Sequence, residues 1–157
     1  MQPVQPGAII SAALERVETL YAEKGLELHA PNPSDLAVFP AVMADPDRAA
    51  QALTNLLTNA LRYTPTPGRV DVTVAPQNGM LAFRVSDTGI GIAPEDLPHL
   101  FERFYRVDKS RARALGGSGI GLTISQALIT AMGGSLRAES AGLGKGSAFT
   151  LTLPLAA

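Results

Sequence analysis

Two glycine clusters, DTGIGI at residues 87–92 and GGSGIGL at residues 116–122, bracket a segment that carries aromatic and basic side chains. The first closes an alternating run, MLAFRVSD at residues 80–87, that reads as a half-buried strand. The second opens GIGLTISQALITAMGG, whose apolar residues recur at helical spacing. Glycine is therefore concentrated at a strand end and at a helix start, which commits the chain to both element types. At such places a backbone without a Cβ can turn tightly and come close to a ligand, and the free N–H groups of a helix N-terminus can receive phosphate oxygens. Either cluster alone reads as an ordinary turn. Together, with charges and rings between them where a lid would lie, they point to a nucleotide site.

Composition narrows the alternatives. A chain of 157 residues suits one domain with its own apolar core. Cysteine is absent, which excludes disulfides and thiol-bound metals. His29 and His99 lack the acidic spacing of a structural zinc site. A net charge of -1 offers no general field for nucleic acid, and no apolar run reaches membrane-spanning length. The opening MQPVQPGAII has no basic region followed by an apolar signal core. A soluble domain is expected, either a small protein or a piece of a larger one.

Along the chain, VQPGAIISAALERVETLYAEKG predicts a helix over residues 4–25, with Ile9, Ala12, Ala13, Val17 and Leu20 on one face and Gly25 ending it. LELHAP reads as an edge strand, and LAVFPAVMAD as a strand broken at Pro40. The clearest helix is DPDRAAQALTNLLTNALRY, with Pro46 in its first turn and Ala49, Leu53, Leu56, Leu57 and Ala60 along one side. RVDVTVAPQ and MLAFRVSD, joined at Asn78-Gly79, form a hairpin with Val70, Val72 and Val74 facing the same way as Leu81, Phe83 and Val85. A short helical turn and a mobile basic segment follow the first glycine cluster. SLRAESA and SAFTLTLPL supply two last strands around GLGKG.

These features in this order resemble the ATP-binding catalytic domain of a bacterial sensor histidine kinase, of the GHKL group that also holds DNA gyrase, Hsp90 and MutL. The resemblance rests on an asparagine-bearing helix, a first glycine box, a phenylalanine box (FERFYR), a second glycine box and a closing GKGSAF, over nearly the whole chain. It implies the Bergerat fold: a two-layer α/β sandwich whose mixed, mainly antiparallel sheet is covered on one face by helices. It also implies ATP and Mg²⁺ as cofactors.

By that resemblance Asn59 holds the Mg²⁺ that bridges the phosphates and Asn55 assists it. The two are four residues apart and share a helix face, although solvated polar residues would look the same. A carboxamide oxygen is a suitable hard ligand for an ion that keeps several waters. Water-splitting relatives carry a glutamate at position 55. The neutral amide of Asn55 takes no proton, so hydrolysis is disfavoured against phosphoryl transfer to a protein nucleophile. Arg62 is placed beside the phosphates and Tyr63 near the nucleotide; otherwise they are a charge ending a helix and a core aromatic.

Asp87 either caps its turn through Thr88 or Gly89, or accepts the exocyclic amine of adenine, which guanine replaces by a repelling carbonyl. The resemblance favours the second. Gly89 and Gly91 keep the backbone low beside the base, and Ile90, Ile92 and Leu122 wall it. Phe101 and Phe104 are packing residues. Tyr105, Arg106 and Lys109 are assigned to the nucleotide, while Arg111 and Arg113 read equally as a solvated loop. Gly117, Ser118, Gly119, Ile120 and Gly121 present backbone N–H groups to the phosphates. The pattern is neither GxxxxGK[ST] nor a Rossmann fingerprint.

Histidine kinases of this kind phosphorylate a histidine on a separate dimerising hairpin, followed by an acidic residue. His29 is followed by Ala30, and His99 lies between the boxes, so neither matches. The expectation is a single catalytic domain over residues 1–157, cytoplasmic, monomeric when isolated and cut from a membrane-anchored sensor. Its partners would be that hairpin and, indirectly, a response regulator receiver domain. Two alternatives share the fold: an ATP-holding docking module without catalysis, and a serine kinase acting on anti-sigma-factor antagonists.

Overall fold

The computed structural model describes residues 1–102 and 121–156. Its elements run β1 (Gln2–Val4), α1 (Pro6–Lys24), β2 (Glu27–His29), a 3-10 helix (Pro33–Val38), β3 (Val42–Ala44), α2 (Pro46–Tyr63), β4 (Arg69–Gln77), β5 (Met80–Asp87), a 3-10 turn (Leu97–His99), α3 (Gly121–Ala131), β6 (Ser135–Glu139) and β7 (Ser147–Pro154).

α2 begins where its residues require. The Asp45 carboxylate accepts the N–H groups of Asp47 and Arg48 at 3.0 and 3.1 Å, and Pro46 stands in the first turn, where its missing N–H leaves nothing unpaired. Ala49, Ala52, Leu53, Leu56, Leu57 and Ala60 are buried along its inner stripe, which leaves Asn55 and Asn59 half-buried beside it. The hairpin turns at Asn78 (φ 51) and Gly79 (φ 77), the paired left-handed residues that match strand twist. Its register sets Val72 opposite Val85 and Val74 opposite Phe83, so one face of the hairpin is apolar as expected.

Five strands form the main sheet in the order β2-β4-β5-β7-β6, with β2 parallel to β4 and the other pairs antiparallel. α2 packs between α1 and α3 over the face that carries Val70, Val72, Leu81, Phe83, Val85, Phe149, Leu151 and Leu153. The result is a two-layer α/β sandwich with a mixed, mainly antiparallel sheet covered on one face by helices. β1 and β3 make a second, two-stranded antiparallel sheet, joined to the end of β7 by the Val42–Leu155 bridge.

Three expectations are corrected. Val4 belongs to β1, opposite Val42, and the helix starts at Pro6. The inner face of α1 is Ile9, Ile10, Ala13, Val17 and Tyr21; Leu20 is 42% exposed and Ala12 half-buried. The stripe follows a four-residue ridge that meets α2, and a tyrosine fits there because its hydroxyl reaches the Leu57 carbonyl. The supposed strand around Pro40 is split: Asn32 caps a 3-10 turn through the Ser34 N–H at 3.1 Å, and only residues after Pro40 pair as β3.

Candidate functional site

The chain reverses at the end of α2, at the end of β5 and before β7, and these three places meet. Ile90 donates its N–H to the Tyr63 carbonyl at 3.1 Å, closing the first glycine cluster onto the last turn of α2. From the other side, Gly144 N–H reaches the Ile90 carbonyl at 2.7 Å and Gly146 N–H the Gly89 carbonyl at 3.2 Å. Ile92 N–H donates to Ser140 Oγ at 3.0 Å. Two glycines are required by this closeness. A Cβ on Gly89 would lie 2.4 Å from the Tyr63 carbonyl oxygen, and one on Gly91, at φ 75, would lie 2.1 Å from that of Gly142.

Asp87 sits at the centre, 7% exposed. Its Oδ1 accepts the Gly89 N–H at 2.8 Å and the Ser147 N–H at 3.3 Å, and its Oδ2 accepts the Ser147 hydroxyl at 2.8 Å. The turn-capping role read from sequence is thus real, and it leaves acceptor capacity over. A carboxylate offers about four lone-pair directions, and three are taken, so one external N–H donor can still be received. Burial pushes the Asp87 carboxyl above its ordinary value, while the Ser147 hydroxyl and the Gly89 and Ser147 N–H groups pull it back.

A pH dependence follows. The native state holds the Asp87 proton more tightly than the unfolded chain, so the stability linked to Asp87 is greatest below the unfolded value of about 3.9. It falls as pH rises from there through the raised native value. Thermal denaturation of wild type and Asp87→Asn between about pH 4 and 7 should show the wild-type advantage shrinking with pH. A constant difference across that range would contradict the buried-carboxylate assignment.

On α2, Asn55 and Asn59 lie on one face and Arg62 and Tyr63 follow in the last turn, all half-buried. Among the described residues no group of three or more His, Cys, Asp or Glu side chains could cage a metal. A divalent ion here would depend on carboxamides, water and oxygens brought by its ligand, a donor set that suits Mg²⁺. Thr64, the next residue, is fully buried, and its hydroxyl has no partner among the described residues.

Gly121 and Leu122 open α3. Gly121 is exposed and Leu122 packs half-buried against the core. Thr123 Oγ1 ties this start to the Phe101 carbonyl at 3.0 Å, and the Phe101 ring stands edge-on to Phe149 with centroids 6.5 Å apart, the packing role expected of it. Tyr105, Arg106, Lys109, Gly117, Ser118, Gly119 and Ile120, with Phe104, Arg111 and Arg113, lie outside the described residues. His29, at the sheet edge, faces Glu27 at 3.2 Å, and His99 faces Glu102 at 2.7 Å.

The sequence reading missed Ser140, Ser147 and Thr64. Ser147 had a signal, since it belongs to the closing GKGSAF; the other two are polar residues in loops with no distinguishing pattern.

Comparison with known proteins agrees with this architecture. The family described as Histidine kinase-, DNA gyrase B-, and HSP90-like ATPase matches residues 44–157. Sensor histidine kinase RppB of Synechocystis is 52% identical over 103 residues, 66% of this chain and 22% of the relative. Sensor-like histidine kinase SenX3 of Mycobacterium tuberculosis is 38% identical over 154 residues, 98% of this chain and 36% of the relative. The chain thus spans about a fifth to a third of these relatives' length. Among solved structures, the mycobacterial sensor histidine kinase MprB superposes with a TM-score of 0.81 at 30% identity over 98% of both chains. Full-length ShkA in complex with AMPPNP superposes at 0.80 and 31% identity, over 99% of this chain and 31% of that one. With the sheet order, the asparagine-bearing α2 and the paired glycine loops around Asp87 already in place, the chain belongs to the histidine kinase-, DNA gyrase B- and HSP90-like ATPase family, as a catalytic ATP-binding domain of the sensor histidine kinase type.

Proposed function

We propose that this domain binds Mg-ATP and transfers the γ-phosphoryl group to a histidine on a separate dimerisation hairpin. In this reading it is the catalytic part, residues 1–157, of a two-component sensor whose phosphoryl group passes on to a response regulator. The observation that carries the reading is Asp87: a buried carboxylate held by Gly89 and Ser147 with one acceptor direction to spare, fit for the exocyclic amine of adenine. Binding of AMPPNP by the similar ShkA supports the same ligand class.

The roles then divide along the site. Asp87 selects the base, with Ile92 and Leu122 beside it. Asn59, helped by Asn55, offers carboxamide oxygens to Mg²⁺, which supplies charge neutralisation of the phosphates when bound. Arg62, Tyr63, Tyr105, Arg106 and Lys109 belong to the nucleotide contacts, Arg62 and Lys109 on the phosphate side. Gly117, Ser118, Gly119, Ile120 and Gly121 supply backbone donors. No carboxylate occupies position 55, so the chain lacks a base there to activate water. An imidazole nitrogen already carries its lone pair, and the nucleophile comes from the partner.

Two assays on one preparation test this: phosphate release from ATP alone, and acid-labile label on an added acceptor hairpin from a matching sensor. Slow release with transferred label is expected. Brisk release without label would make the chain an ATPase, and tight binding with neither activity would make it a docking module.

A further inference from the structure

α1 holds α2 from the side away from the asparagines. The Tyr21 hydroxyl, fully buried, donates to the Leu57 carbonyl at 2.6 Å, and Lys24 Nζ donates to the Leu61 carbonyl. Leu57 and Leu61 are four residues apart, and so are Asn55 and Asn59. Leu57 follows Asn55 by two positions, about 200° around a helix of 3.6 residues per turn, so the gripped side and the asparagine side are nearly opposite. The grips differ in kind. Leu61 is in the last turn, where carbonyls lack intrahelical partners. Leu57 is interior, so its carbonyl takes the tyrosine bond with its second lone pair. Burial first, and then the charge of Asp87, push the Tyr21 phenol upward. The phenol is therefore a proton donor throughout the neutral range.

We infer that Tyr21 is a positioning residue that fixes the rotation of α2 and thereby the direction in which the Asn55 and Asn59 carboxamides point. The inference rests on the proposed role of those asparagines toward Mg-ATP. Side-chain ends stand roughly 5 to 6 Å from a helix axis, so a rotation of about ten degrees moves an amide about 1 Å. A misplacement of that size can cost about 100-fold in a reaction. A phenylalanine at position 21 would fill nearly the same space without this bond, so the hydroxyl is the part under test.

Tyr21→Phe keeps the ring and removes only the donor. It should weaken the Mg²⁺-dependent part of ATP affinity by roughly tenfold, below the ~100-fold of a full 1 Å displacement, and change Mg²⁺-free affinity much less. The side-chain amide resonances of Asn55 and Asn59 should shift in the nucleotide-free chain. Ser125→Ala is the control, since its buried hydroxyl also donates to an α2 carbonyl, that of Ala52, but over a much longer and weaker contact of 3.4 Å; it should lower melting temperature slightly without moving those amides. A Tyr21→Phe variant that loses thermal stability but keeps both amide signals unchanged overturns the inference and leaves Tyr21 a packing residue. If the wild-type chain bound no Mg-ATP, the functional reading would fall, while the amide spectra would still decide whether Tyr21 orients α2.

Discussion

Asn59→Ala is expected to lower Mg²⁺-dependent ATP affinity by about 100-fold or more and to abolish phosphoryl transfer, with affinity measured without Mg²⁺ changed far less. The size follows from the donor set. The described residues contain no acidic cage, so Mg²⁺ would take few protein ligands and most of its shell from phosphate and water. Even a residue that only orients a metal ligand is worth about 10 to 100-fold, and a direct ligand should not be worth less. The fold should hold, because Asn59 lies beside the buried stripe and the leucines and alanines that anchor α2 are untouched. Alanine is also the better helix former. Titration calorimetry with and without Mg²⁺ separates the ion from the base, and equal losses in both would place Asn59 outside the metal site.

Asp87→Asn should have the other large effect, loss of about 3 kcal/mol of ATP binding, or roughly two orders of magnitude in affinity, with little change in structure. The surroundings make this substitution informative. An asparagine can keep its carbonyl oxygen toward the Gly89 and Ser147 N–H groups, and its NH₂ can donate to the Ser147 oxygen, since a hydroxyl accepts as well as donates. The pocket tolerates the change that a base does not: an amine donor arriving from adenine would meet a second donor instead of an acceptor. Although Asp87 is buried, the fold should survive because these hydrogen bonds can be kept. Calorimetry with circular dichroism checks it. Wild-type affinity in a folded Asp87→Asn protein would remove Asp87 from base recognition.

α2 was readable in advance because its signals are local and agree with one another: an acidic cap, a proline in the first turn, apolar residues at helical spacing. The hairpin was readable for the same reason, since Asn78-Gly79 selects one turn and the alternation on each side fixes the register. α1 was read with its inner face misplaced. Its apolar residues are numerous enough to fit more than one stripe, and what chose Ile10 and Tyr21 over Ala12 and Leu20 was the position of α2 and the carbonyl waiting at Leu57. The strand assigned around Pro40 failed because Asn32 offered the backbone a local side-chain acceptor, which turns short segments into caps.

Asn55, Asn59, Asp87 and the glycines around it are candidates that the sequence names through its resemblance to the family, and their places on one helix face and at one strand end are local properties that the sequence shows by itself. What the tertiary structure alone decided is the environment that gives Asp87 its character. Ser147 is 60 residues away in sequence, and the loop at residues 140–146 that closes on Gly89 and Ile90 is as remote. Such contacts are chosen by which strands become neighbours, here β5 beside β7, and no local pattern encodes that pairing. Burial, the spare acceptor direction and the raised carboxyl all come from it, just as the grip of Tyr21 on α2 comes from the packing of two helices rather than from either one.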